Sequence, residues 1–127
     1  MALTNAGRDI MAALLTGASA VHFDNTNARI GVGDSATAFV ATQTDLVAAA
    51  NKLRKVMDAT FPTTVANVLT FQSTFTGAEA NWTWNEWAVF NAAAAGAMLN
   101  RVVEVNGTKL AGQTWVFQVA LTVAIGA

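Results

Sequence analysis

Two hydrophobic periods divide this chain. Near the N-terminus, Ile10, Met11, Leu14 and Leu15 recur at the spacing of one helical face, with Arg8, Asp9 and Ala12 on the other side. Thr4 in front and Gly17 behind suit an N-cap and a left-handed residue just past a helix end, so a short helix is expected over residues 4–17. From residue 69 onward the period is two. Leu69, Phe71, Ser73 and Phe75 alternate with Thr70, Gln72 and Thr74. In the next segment Trp82, Trp84, Glu86, Ala88 and Phe90 share one face, opposite Thr83, Asn85, Trp87 and Val89. Residues 98–105 form another expected strand, closed by the hairpin pair Asn106-Gly107. The longest alternation sets Trp115, Phe117, Val119, Leu121, Val123 and Ile125 against Val116, Gln118, Ala120, Thr122 and Ala124.

Between these regions, residues 28–33 read as a strand ending in glycines. Residues 34–43 read as a loop of small and hydroxylated side chains that crosses a sheet edge. Residues 44–58 keep a helical spacing through Leu46, Ala49, Ala50, Leu53 and Met57, which predicts one or two helical turns and then a strand up to Phe61. Pro62 ends that strand, because it lacks an amide hydrogen and restricts its predecessor. One helix followed by strands in hairpin order excludes a doubly wound parallel sheet. The expected fold is mainly β (α+β): an antiparallel sheet or sandwich with a short N-terminal helix. The chain reads as a single domain over 1–127, with the helix in 1–17 and a β-rich body in 28–127.

Composition sharpens this picture. Of 127 residues, 54% are apolar and 12% are charged, about half the charge fraction of an average domain. Seven basic and eight acidic side chains leave a net charge of −1. That balance is not the footprint of a nucleic-acid binder, nor of a basic membrane-surface patch. The uncharged stretch 116–127 is too short for a spanning helix, which needs about 20 apolar residues. Arg8 and Asp9 precede the first apolar segment, which argues against a signal peptide, so the chain is expected to be soluble when made. Without cysteine, disulfides and thiolate sites are impossible. With a mean hydropathy of +0.39, so few charges leave wide uncharged surface, and such surface marks contacts.

Candidate chemistry is sparse. Gly31-Val32-Gly33-Asp34-Ser35-Ala36 has the spacing of a dinucleotide fingerprint, but a loop rather than a helix is expected after it. Gly33-Asp34-Ser35 resembles the nucleophile block of an esterase class, yet the sole histidine, His22, sits upstream in a polar turn. Asp24, Asn25 and Asn27 are better explained by turn formation than by calcium ligation. Glu86 stands among tryptophans. It is either a general acid in an aromatic pocket or a carboxylate paired with Arg101 or Arg29, and pairing is the simpler account. Trp82 and Trp84 are expected to face the core with Phe90, and Trp87 to face away, towards a neighbouring subunit.

Three blocks carry a resemblance: Leu3-Thr4-Asn5-Ala6-Gly7-Arg8; Ile30-Gly31-Val32-Gly33-Asp34-Ser35; and Trp84-Asn85-Glu86-Trp87-Ala88-Val89-Phe90-Asn91, followed by Gly96-Ala97-Met98-Leu99-Asn100-Arg101. Together they resemble the N-terminal domain of bacteriophage tail-collar fibre proteins and related small virion proteins of tailed phages. Ser35 stands where that family has glycine, and Ala88 where it prefers glycine. The resemblance implies a non-enzymatic virion subunit made in the host cytoplasm. Such a tail- or collar-fibre-like adaptor module would assemble with itself, as a ring or trimer, and with a neighbouring capsid, tail or baseplate protein. A capsid decoration (cement) protein is the alternative. A carbohydrate-binding module, or a small hydrolase using Glu86 in a Trp-lined pocket, is the alternative of another class. The first reading calls for no cofactor, metal, nucleic acid or membrane, and assigns intermolecular contacts to Trp87, Phe90 and Arg101.

Overall fold

The computed structural model describes residues 2–19 and 21–124. Ile125, the last position of the expected alternation, lies outside them. The described residues form helix α1 (Asn5–Leu15) and seven strands: β1 (Arg29–Gly33), β2 (Lys52–Val56), β3 (Thr63–Val65), β4 (Val68–Phe75), β5 (Thr83–Phe90), β6 (Met98–Thr108) and β7 (Trp115–Thr122). Two antiparallel sheets, ordered β2-β1-β5-β6 and β3-β4-β7, pack face to face as a β-sandwich. No helix among the described residues is long and apolar enough to cross a membrane.

α1 forms as its caps direct. The Thr4 hydroxyl accepts from the Gly7 amide at 2.8 Å, and Gly17 adopts a φ of 73° beyond the last turn. The helix is held to the larger sheet by its own cap, since the Thr4 amide donates to the Leu99 carbonyl at 3.1 Å and its hydroxyl donates to the Met98 carbonyl.

Between the sheets lies an aromatic core. Trp84 is 1% exposed and meets Phe75, Trp115 and Phe117 edge to face, with centroids 4.8, 5.0 and 5.5 Å away. Its indole nitrogen donates to the Ala80 carbonyl at 2.9 Å, so burial strands no donor there. Phe71, Phe75, Val119 and Leu121 fill the inner face of the smaller sheet, as the alternation predicts.

Three expectations are corrected. First, β5 does not alternate without interruption. Between the pairs Trp84↔Gly107 and Glu86↔Val103, β5 spends Asn85 where β6 spends Glu104, Val105 and Asn106. This irregularity turns the strand, so Trp87 and Val89 join Trp84 in the inter-sheet core while Glu86, Ala88 and Phe90 face the opposite side. Second, Asn106-Gly107 closes no hairpin. β6 continues to Thr108, and the φ of 108° at Gly107 serves the irregularity. Third, residues 44–51 form no helical turns, and β2 stops at Val56, short of Phe61.

The long β1–β2 connection, residues 34–51, instead folds across the outer face of the larger sheet. Leu46 plugs a second small core with Ala88, Phe90 and Met98. Both faces of β5 are therefore covered, which explains why its last five residues are all buried.

The turn after β4 is strapped to β2 by Lys55 and Glu79 at 2.8 Å. The Lys55 ammonium, with the Thr76 amide and hydroxyl, brings the Glu79 carboxyl from 4.5 down to about 2. The native chain thus holds this proton more weakly than the unfolded one, so the strap contributes fully above about pH 4.5 and is lost as pH falls towards 2. Urea-unfolding midpoints are expected to drop across that interval, and to drop less steeply in Glu79→Gln. Equal slopes in the two proteins would show that the strap contributes nothing.

Candidate functional site

Chemistry-bearing residues converge beneath the 34–51 loop. Gly33 lies opposite Glu86 in the β1–β5 register, and any side chain at position 33 would strike the Glu86 carboxylate. Glycine there lets the carboxylate lie flat against the strand and reach the loop above. Its Oε1 accepts from the Val47 amide and from Arg101 Nε, both at 2.8 Å. Its Oε2 accepts from the Ala48 amide at 2.9 Å and the Ser35 amide at 3.3 Å. Two donors on each oxygen use the acceptor capacity of a carboxylate. Glu86 and Arg101 side chains are both 0% exposed.

Arg101 extends the network. Its Nη1 donates to Gln43 Oε1 at 3.2 Å, and that oxygen also takes the Val40 amide at 3.1 Å. Gln43 Nε2 in turn donates to the Ala38 carbonyl at 3.2 Å. The beginning of the loop is fixed by Asn85, which donates to the Asp34 carbonyl at 3.0 Å, and by Asn51, which donates to the Asp34 carboxylate at 2.9 Å. Its end is fixed by Asp45, paired with Lys52 at 3.1 Å and Arg54 at 3.2 Å. Burial raises the Asp45 carboxyl, but hydrogen bonds from Lys52, the Leu46 amide and Arg54 outweigh it and hold the group below its ordinary value. Arg54 also stacks 3.6 Å above the Phe90 ring and donates to the Ala92 and Ala95 carbonyls.

The three residues assigned to intermolecular contact are thus consumed inside the chain. Trp87 is 7% exposed, meets Phe117 at 5.9 Å between centroids, and donates its indole hydrogen to Glu104 at 2.7 Å. Phe90 lies under Arg54 and Leu46, and Arg101 under the loop. For Trp87 the physical reason is the turn of β5 at Asn85, which moves it to the face that packs on the smaller sheet; Phe90 and Arg101 are covered by the 34–51 loop. The pairing of Glu86 with Arg101, in contrast, follows the simpler sequence account.

Other candidates serve as local structure. The Asp24 carboxylate caps the Asn27 amide at 2.9 Å, and Asn25 donates to the Asp58 and Phe61 carbonyls. Ser35 Oγ bonds Thr37 at 3.0 Å, and Gly31-to-Ala36 leads from β1 into the loop with no helix after it. Among the described residues no cluster of three metal-ligating side chains exists. Of the four tryptophans, only Trp82 and Trp115 keep partly exposed surface. A groove of about 510 Å³ opens between α1 and the smaller sheet, lined by Met11, Leu14, Phe23, Phe71 and Leu121, with His22 at its wall.

Sequence reasoning missed several residues. Gln43 clamps the loop. Asn100 accepts the Val89 amide at 3.0 Å beside the irregularity between Val89 and Phe90. Lys109, fully buried, donates to the Thr76 carbonyl at 2.7 Å and to Asn81 at 2.8 Å. Gln43 and Lys109 belong to no motif, Asn100 lies in a resembling block but carries no assigned role there, and each acts through a partner on another segment.

The blocks that carry the family resemblance meet here. The first docks on β6 through Thr4, the second supplies β1 and the Ser35 amide, and the third supplies β5, Glu86 and Arg101. No protein-family model matches the chain, and no curated protein matches it.

Removing one partner of a buried ion pair typically costs about 3–5 kcal/mol, and Glu86→Gln is expected to lie in that range. Exchanging both partners for apolar residues, Glu86→Leu with Arg101→Met, should cost less than the two single changes summed, by more than about 1 kcal/mol. It should not be neutral, because the Val47 and Ala48 amides lose their acceptor. Chemical denaturation of the four proteins checks this, and additive losses would mean that the pair is not coupled.

Proposed function

We propose that this chain is a non-enzymatic structural subunit of a phage particle, a tail- or collar-fibre-like adaptor module that binds copies of itself and a neighbouring virion protein. The observation that carries the proposal is the use made of the resembling blocks. Separated by tens of residues, they join in one buried scaffold whose charged groups are spent on holding a loop. Glu86 has neither exposed surface nor free acceptor capacity to offer a substrate. Residues that act together as a scaffold suit a module that is built to be assembled.

Surface composition supports the same reading. Leu15, Val65, Val105, Leu110 and Val116 are each at least 60% exposed, and they lie on separate parts of the fold. Scattered singly, such residues are ordinary on a protein surface; it is the sparse charge, 12% of residues, that suits a subunit enclosed by neighbours.

Immunogold labelling of purified particles, raised against this chain and applied to the phage whose genome encodes it, tests the proposal. A few labels at the tail or collar are expected. Dense labelling of the head would favour the cement role. Particles with no label, and no peptide of this chain by mass spectrometry, would overturn the virion assignment.

A further inference from the structure

Among the described residues the two sheets have four open edges, and three carry features that discourage another strand. β2 bears Lys52, Arg54 and Lys55; β3 is three residues long. β6 is interrupted by two register shifts, and near its start Leu3 bridges to Asn100. Charge, brevity and irregularity are the usual protections of a sheet edge. β7 has none of them. Its eight residues, Trp115–Thr122, contain neither a charge nor a proline, and among the described residues they pair without a shift to β4 alone.

The backbone groups facing outward on β7 follow from the register. The Val123 amide donates to the Asn67 carbonyl at 2.8 Å, one step beyond the Val68↔Thr122 pair. Hydrogen-bonded and non-bonded pairs alternate in an antiparallel ladder. Residues 115, 117, 119 and 121 therefore exchange bonds with β4, while Val116, Gln118, Ala120 and Thr122 turn their N–H and C=O groups to the free edge. All four are exposed.

We infer that this edge is a self-association site, at which β7 of a second copy adds antiparallel across a two-fold axis near Val119. In that register Val116 lies opposite Thr122 of the partner, and Gln118 opposite Ala120 of the partner. All four outward-facing residues of each strand then exchange bonds, and no like charges oppose each other. A second copy is the occupant that satisfies both open edges at once with the same uncharged strand. On the inner face, half-buried Phe117 comes beside Leu121 of the partner, which continues the aromatic core across the axis. The inference deepens the self-assembly part of the proposed function, but it rests on edge chemistry and not on the virion assignment.

Sedimentation of the purified chain over a concentration series, with residue-resolved amide exchange, tests it. A dimer is expected in which the amides of Val116, Gln118, Ala120 and Thr122 become protected as concentration rises. Ala120→Pro removes a donor that β4 does not use, and should raise the dimer dissociation constant by about tenfold or more while leaving the β4–β7 amides protected. Should that variant fail to fold, charge reports the register instead. Gln118→Lys with Ala120→Lys should dissociate the dimer, and Gln118→Glu with Ala120→Lys should retain it. A monomer at every concentration overturns the inference. So does a dimer indifferent to these changes with the four amides unprotected, an outcome that leaves particle labelling to decide the virion reading separately.

Discussion

A single buried carboxylate holds the long β1–β2 connection against the larger sheet. Glu86 lies at the centre of the larger sheet, and among the described residues its charged partner is Arg101 on the adjacent strand. An isolated Glu86–Arg101 pair would be unfavourable, because desolvating two ions can cost more than their attraction returns. The added donors change that balance. Amides of Ser35, Val47 and Ala48 converge on the same two oxygens, so the ion pair becomes the anchor of an 18-residue segment without regular structure, 34–51. Loops of that length are uncommon in compact domains unless something organises them. Here the organiser comes from the sheet beneath.

This arrangement explains features that otherwise look unrelated. Glycine stands at position 33 because a side chain would displace the carboxylate. β5 is buried on both faces because the anchored loop covers one and the smaller sheet the other. Gln43 and Asp45, polar residues in the middle of the loop, bind Arg101 and the two cations Lys52 and Arg54 respectively, so the loop's path is tied to strands β6 and β2. The aromatic core is a separate device. It fastens sheet to sheet through Trp84, Phe75 and Phe117 and needs no charge.

The legible parts of the fold were those whose signals are local. The Thr4 cap, the alternation of β4 and β7, and the pairing of Glu86 with an arginine all follow from neighbouring residues or from the need to neutralise a carboxylate among apolar side chains, while the choice of Arg101 over Arg29 rests on the strand pairing. Illegible were the features set at long range. The helical spacing of Leu46, Ala49 and Leu53 gave no hint that the acceptor for the Val47 and Ala48 amides stands almost forty residues away. The turn of β5 at Asn85 is likewise a property of its pairing with β6, and it moved Trp87 from the expected outer surface into the core. Asn106-Gly107 has a hairpin's composition, but β6 runs through it before the chain crosses to the other sheet.

The Glu86 carboxylate governs the loop only if the amides it accepts stay closed as firmly as the core. Amide hydrogen exchange at Val47 and Ala48 in the unmodified protein measures this most directly. If Glu86 anchors the loop, both amides exchange only when the whole domain unfolds, with the same opening free energy as core amides such as Val89. If they exchange through a local opening at a small fraction of that energy, while Val89 remains protected, the carboxylate does not hold the loop and the central claim is wrong.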